Sequence, residues 1–342
     1  MTKKKSSRLK ELAVSVNERL GDKEFMGIVA DNELAGRITD WLTTGNLAID
    51  YYCSGKLIGG GFPVGRVVEV FGPPAAGKSL LLYHLLAETQ KRGGLAVLLE
   101  TEGAYNRDFG ATIGIDNKEL LIAEPDTVEQ VFQIVEEIAD EAQAEDEMIT
   151  IVWDSLAQTS TEHEMEIDFS KVDSSMEGAR KAKMIKAGFR RIGRKIGKAN
   201  ILLVTANHVI DKIGVLYGKK TTTPGGHGYN FASSIRLELK KGKSIVDPTI
   251  KEVVGINANI FVEKNKVAHP FKGGDVEIYF DRGVDKYSGF LDVLVNKGII
   301  QQRGGWYSLG EEKFRSADFA EFFETHELEI LTAEDVHTEE KE

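Results

Sequence analysis

Through the middle of this chain, short apolar runs alternate with longer stretches whose apolar residues recur at helical spacing. The runs Val67–Phe71, Ala96–Glu100, Met148–Trp153 and Ile201–Thr205 are rich in β-branched residues and read as strands. Leu81, Leu82, Leu85 and Leu86 after Ser79, and Val128, Phe132 and Val135 after Thr127, mark helices between them. Such alternation predicts an α/β core over residues 41–285, a mostly parallel central sheet covered by helices. Ile235–Leu239 and Ile256–Glu263 are later β-rich segments of that core.

The two ends read differently. Residues 1–40 predict an amphipathic helix and a connector, with Leu9, Leu12, Val16 and Leu20 on one face. A basic helix outside the main domain suits a membrane, DNA or a neighbouring subunit, and the pattern does not rank these. Past Tyr287 a small α+β module is expected over 286–328, running through Trp306 and Phe323, and the acidic stretch 329–342 reads as a disordered tail. The chain contains no tandem repeat.

Charge changes this picture more than composition does. The net charge is -11, which by itself weighs against nucleic acid as a partner. The charges are segregated, however. Lys3, Lys4, Lys5, Arg8 and Lys10 crowd the amino terminus, and Glu324, Glu327, Glu329, Glu334, Asp335, Glu339, Glu340 and Glu342 the other end. Cys53 is the one cysteine, so no internal disulfide forms, as suits a reducing cytosol. With no secretory h-region and no bilayer-length apolar run, a soluble cytoplasmic protein is expected.

The sharpest chemistry is Gly72, Pro73, Pro74, Ala75, Ala76, Gly77, Lys78 and Ser79, which follow a predicted strand and open a predicted helix. This is the phosphate-binding loop in the context that gives it meaning: backbone amides and a helix amino terminus face the phosphates. Lys78 is expected to reach the β- and γ-phosphates of ATP, and the Ser79 hydroxyl to hold Mg²⁺. Asp154, ending the run from Ile149, supplies the carboxylate that such a metal also needs, although Asp154 and Ser155 also suit a helix cap. Glu100 and Glu102 end the preceding strand on the same edge, and their spacing offers both as the group that activates water.

With these parts in place, the chain resembles the RecA family of recombinases from about Gly45 to Phe314. The resemblance is carried by Phe62-Pro-Val-Gly-Arg-Val-Val-Glu-Val-Phe-Gly72, Pro125-Asp-Thr-Val-Glu-Gln130, Ile213-Gly-Val-Leu-Tyr-Gly218 and Thr221-Thr-Thr-Pro-Gly-Gly226. Lys264-Asn-Lys266 with Pro270-Phe-Lys272, and Gly305-Trp-Tyr-Ser308, carry the rest. It implies a RecA-like P-loop fold and a DNA-dependent ATPase that uses ATP and Mg²⁺, filaments on single-stranded DNA, and strand exchange with homologous duplex. It also implies mediator or single-strand-binding proteins as partners, and residues 1–40 as an assembly element.

By the same resemblance Glu102 is the catalytic glutamate, Leu80 closes the phosphate loop, and Asn106 and Phe109 stand near the adenine, where the family often has Asp and Tyr. The first DNA loop matches residues 168–178, with Met176 as a wedge between bases; two extra residues fall near Glu177. The second matches 209–226, with Ile213 as its wedge and Gly225 and Gly226 presenting amides to phosphate. Lys264 and Lys266 match a pair reaching a neighbour's ATP, and Asn230 stands where a basic residue is common. His208 replaces the usual Gln before the second loop, as in phage recombinases of the UvsX kind, which favours a bacterial or phage-like origin. It reads as the sensor between nucleotide and DNA, and an imidazole can take a proton between about pH 5 and 8 where an amide cannot.

The residues themselves agree. Nine Lys and Arg and no carboxylate fall between Arg180 and Lys198, while Ile185, Phe189, Ile192 and Ile196 make one face core. In an ordinary acidic protein this is a solvated helix face. Beside two glycine-rich loops it reads as a surface that tracks phosphates, with Arg190 matching a DNA contact of the family and Lys183 and Lys186 at suitable positions. Phe231 reads as core or as a subunit-interface anchor, and Trp306 and Tyr307 as core or as a duplex contact. His84 is expected to be packed, and His163, His227 and His269 have no metal-ligand spacing with Cys53. A nucleotide-gated assembly module and a ring helicase share the P-loop and are the rival readings.

Overall fold

The computed structural model describes residues 2–21, 38, 40–142, 147–168, 174–211 and 221–339. Contacts divide the chain into two units, Met1–Asp40 and Trp41–Glu342. The first contains helix α1 (Thr2–Leu20), on which Leu9, Leu12, Val14 and Leu20 are exposed.

The second unit opens with β1 (Trp41–Leu42), α2 (Leu47–Ser54) and β2 (Phe62–Pro63). There follow β3 (Val67–Gly72), α3 (Lys78–Lys91), β4 (Leu95–Glu100), α4 (Arg107–Ile113), β5 (Leu120–Ala123) and α5 (Val128–Ala142). Next come β6 (Ile149–Asp154), α6 (Glu162–Glu166), α7 (Ser174–Lys198), β7 (Ile201–His208), β8 (Ile210–Asp211) and β9 (Thr221–Thr222). The core closes with α8 (Gly226–Ala232), β10 (Ile235–Val246), β11 (Val253–Asn265), β12 (Gly273–Tyr279) and β13 (Gly283–Val284). Beyond it lie α9 (Phe290–Lys297), the small sheet of β14 (Gln301–Arg303), β15 (Trp306–Leu309) and β16 (Glu312–Phe314), and α10 (Phe319–Glu339).

One nine-stranded sheet dominates, in the order β13-β12-β11-β10-β3-β7-β6-β4-β5. From β10 through β5 every neighbouring pair is parallel, and β11, β12 and β13 continue antiparallel. Successive strand residues face opposite sides, so each apolar run feeds two cores. Val68, Val70, Leu98, Val152 and Val204 meet the Leu81, Leu82, Leu85 and Leu86 face of α3. Val67, Leu99, Ile151, Trp153 and Leu203 meet α5 and the Ile185, Phe189, Ile192 and Ile196 face of α7. Burial on both faces is why these strands are almost wholly apolar.

Three differences from the sequence reading have physical causes. β7 runs on past Thr205 to His208, because its backbone stays paired with β3 up to Gly72. β5 has no apolar alternation to betray it: it is an edge strand with Leu121 and Ile122 exposed. The acidic stretch from residue 329, expected to be disordered, is helical to Glu339. Ile330 is buried in this stretch, continuing the line that Phe319 and Phe323 begin earlier on α10.

Candidate nucleotide and nucleic-acid site

The parallel pairing brings the carboxyl ends of β3, β4, β6 and β7 to one edge, where ligands bind in α/β sheets. Gly72 lies opposite His208, and Glu100 opposite Asp154. From Gly72 the chain turns through a loop in which Ala75 and Gly77 have φ of 57° and 91°, and α3 begins at Lys78 with no side chain capping its first amides. Open amides at the start of a 14-residue helix suit an anion. The Lys78 ammonium donates to the carbonyls of Gly72 and Pro73, 3.0 Å each, so it lies folded along the loop. Burial pushes its pKa down, while Asp154 and Glu102 pull it back up. Pro74 and Ala75 are exposed, Ala76 is buried, and Leu80 turns its side chain into the core, leaving only backbone for a ligand.

The Ser79 hydroxyl hydrogen-bonds Asp154, so the two groups expected at the metal are adjacent. Burial pushes Asp154 up to about 6, helped by Glu102 and Glu100 and opposed by Ser79 and Lys78. A cation there would relieve that burial cost, so the donor set fits Mg²⁺.

The structure separates the two glutamates that spacing left equivalent. Both Glu100 oxygens are spent on its own loop, accepting from the amides of Glu102 at 2.8 Å, Ala104 at 2.6 Å and Tyr105 at 3.0 Å. Glu102 stands at the edge instead: one carboxylate oxygen accepts from the Ser155 hydroxyl and lies 3.3 Å from Nε2 of His208. Ser155, fully buried, is held by Thr101, whose side chain bonds both its amide and its carbonyl. The sequence offered Ser155 only as a cap; its link to Glu102 requires β4 and β6 side by side.

At the expected adenine position, Asn106 caps α4 by accepting from the amide of Phe109, and Phe109 packs partly against the core. Tyr105, which the sequence reading missed, lies edge-on to Tyr83 and donates its hydroxyl to Asn117.

Residues 169–173 and 212–220 of the two expected DNA loops lie outside the described residues. Met176 is exposed in the first turn of α7, beside Glu177, which is buried against His163 and Arg180. Ile213 lies outside the described residues; β8 and β9 pair Ile210 with Thr222 and Asp211 with Thr221 on either side of it. Gly225 and Gly226, with φ of 97° and 64°, open α8 without a side-chain cap. Thr223 and Pro224 join a buried network the sequence did not reveal. Arg236 reaches Glu69, Glu263 and Thr223, and Asn207 donates to Glu69 and to the carbonyl of Pro224.

Lys264 and Lys266 both reach the carboxyl end of α8. Lys264 donates to the carbonyls of Asn230 and Ser233, and Lys266 to that of Phe231 at 2.5 Å. Burial and the nearby Lys266 push Lys264 down to about 8. Phe231 itself is 74% exposed rather than core.

The basic face of α7 is partly neutralised. Arg191 and Lys195 pair with Glu136 of α5, Lys195 also with Asp140, and Lys181 donates to the carbonyl of Ala157. Lys183, Lys186, Arg190, Arg194 and Lys198 remain exposed. His84 is packed, accepting from the amide of Val284. Among the described residues no cluster of His, Cys, Asp and Glu suits a metal by itself, and no helix is long and apolar enough to cross a membrane.

The RecA N-terminal domain family matches residues 8–285. The RecA protein of Paracoccus denitrificans is 32% identical over 90% of this chain and 82% of its own length, and that of Thermus aquaticus 33% over 92% and 87%. The RecA protein of Chlorobaculum parvum is 34% identical over 90% of this chain and 85% of its own. A match this long, on a sheet edge that assembles phosphate loop and carboxylates, shows that the chain belongs to the RecA family and is a recombinase with DNA-dependent ATPase activity, forming filaments on DNA and exchanging strands.

Proposed function

We propose that ATP lies along Gly72–Leu80, its phosphates on the loop amides and Lys78, with Asn106 and Phe109 flanking the adenine. Ser79 and Asp154 would hold Mg²⁺, which would offset phosphate charge. Glu102 orients and deprotonates the attacking water, and His208 turns toward the terminal phosphate. Lys264 and Lys266 leave α8 to complete the site of the next protomer. DNA runs over Lys186, Arg190, Gly225 and Gly226, with Met176 and Ile213 between bases, and base pairing reads the sequence. Residues 1–40 join neighbouring protomers, and the exposed apolar face of α1 supports that role. Mediator or single-strand-binding proteins as partners, and a bacterial cytoplasmic setting of phage-like character, complete the reading; His208 alone supports the last.

The observation that carries the catalytic part is Glu102 held at the edge by Ser155 and His208 while Glu100 is consumed by its own loop. Glu102→Gln is expected to bind ATP normally, keep long filaments and lose turnover by on the order of a hundredfold or more, measured by phosphate release. Lys78→Ala is expected to lose productive ATP binding. Normal hydrolysis by Glu102→Gln would show that another group activates the water.

A further inference from the structure

Phosphate loop, carboxylates and lysines all address groups that every nucleoside triphosphate shares; only the base end of the site can choose among nucleotides. Asn106 and Phe109 lie in the segment that follows Glu102. Phe109 packs partly against the core and has no polar side-chain atom, so it offers a base apolar surface without a preference. Tyr105 donates its hydroxyl to Oδ1 of Asn117 at 2.7 Å, and Nδ2 of Asn117 donates to the carbonyl of Arg107 at 3.0 Å. The exposed side chain of Asn106 remains to do the choosing.

A carboxamide has two unlike ends, an acceptor oxygen and a donor NH₂, and the hydrogen bond made by one end fixes the role of the other. Here the helix fixes it. Oδ1 of Asn106 accepts from the amide of Phe109 at 3.0 Å and so caps α4, a task the NH₂ cannot perform. Nδ2 is the end left over, with no acceptor of its own among the described residues. The purines differ in what they offer such a donor. Adenine carries an amino group at C6, whereas guanine and hypoxanthine carry a keto oxygen there; all three keep an acceptor at N7. A carboxylate, which only accepts, takes the amino group and repels the keto oxygen. The Asn106 amide can donate to the keto oxygen, or to a ring nitrogen of adenine.

We infer that Asn106 makes this a purine-triphosphate site rather than an adenine-specific one, so that the protein hydrolyses GTP as well as ATP. The inference rests on the reading that places the base beside Asn106 and Phe109. The chemistry is the same for both nucleotides. Water adds to the terminal phosphorus, the bond from that phosphorus to the bridging oxygen breaks, and GDP and phosphate leave while Glu102 takes the proton of the water.

The test compares ATP, GTP and ITP in the wild type, Asn106→Asp and Asn106→Ser, with single-stranded DNA present. Phosphate release gives kcat and KM, and displacement of fluorescent mant-ADP gives affinity. The wild type is expected to use GTP and ITP within about tenfold of ATP. Asp and Ser both cap a helix, so neither variant is expected to lose Tm. Asn106→Asp is expected to raise the preference for ATP over GTP by on the order of tenfold or more, through KM and affinity rather than kcat. A wild type that rejects GTP by roughly a hundredfold or more overturns the inference, as does a ratio unmoved in Asn106→Asp. So does ITP behaving unlike GTP, since the two share the keto oxygen and differ only in the amino group at C2. If a ratio unmoved in Asn106→Asp moves in Asp108→Asn, the exposed carboxylate of Asp108 makes the choice instead. Should both Asn106 variants bind all three nucleotides as tightly as the wild type, the base lies elsewhere and the reading of the site falls too. Should they shift all three equally, the base lies there and only the inference falls.

Discussion

Glu100 and Glu102 differ by two positions in sequence and by everything in surroundings. Three amides satisfy Glu100, so it shapes the loop that carries Glu102; Glu102 has a hydroxyl and an imidazole for company and stays at the edge. Spacing along a strand says which face a side chain takes but not which donors await it, and here the donors come from β6 and β7. His208 follows the same logic. It already touches Glu102, so turning toward a phosphate means leaving the base. DNA stimulation of ATPase is therefore expected to be kept by His208→Gln, whose amide can still donate to a phosphate, and to fall sharply in His208→Ala. Full stimulation of His208→Ala would exclude His208 as the sensor.

At the scale of elements, α7 divides its charge between two tasks. Arg191 and Lys195 tie the helix to α5, whereas Arg190 points elsewhere and is exposed. Arg190→Ala is expected to weaken DNA binding evenly across sequences and to lower the salt slope by about one unit, while Arg191→Ala leaves the slope unchanged. Equal effects of the two in a salt titration would mean the ion pairs with α5 do not decide which cations reach DNA. The network under the second loop is a buried knot joining β3, β7, β10 and β11 to Thr223 and Pro224. Arg236→Met strands a buried carboxylate, which costs roughly 3–5 kcal/mol. Denaturant unfolding is expected to show that loss, and amide exchange to rise near Thr223 first; an unchanged midpoint would count against the network as a support.

In the whole molecule, the proposed completion of the site by a neighbour makes Lys264 a point of pH dependence. Lys264 is pushed down to about 8 from an ordinary 10.5 because it is buried beside Lys266. For a lysine lowered on folding, the unfolded chain holds the proton more tightly, so protomer stability rises with pH between about 8 and 10.5. Assembly runs the other way, since a neutral amine cannot pair with a phosphate. Filament formation is expected to decline as pH passes about 8, and to lose that dependence in Lys264→Arg, as followed by light scattering. A flat profile in the wild type would mean Lys264 does not serve a neighbour's phosphate.

The apolar runs, the phosphate loop and the acidic residue at the end of β6 were legible in the sequence because they depend on local pattern: strand periodicity, glycine, and a helix that begins at once. Position 208 was legible as a departure from the family, and the α7 charges as a count. What the tertiary structure decided was every choice between equals. It gave Glu100 and Glu102 different partners, assigned Arg191 to α5, linked Ser155 to Glu102, buried the Glu69–Arg236 knot and exposed Phe271. It also buried Phe319, Phe323 and Ile330 along α10, which charge content conceals. Sequence sets which groups are available, because that is chemistry carried by each residue; partners, desolvation and strain arise only when distant segments are laid side by side.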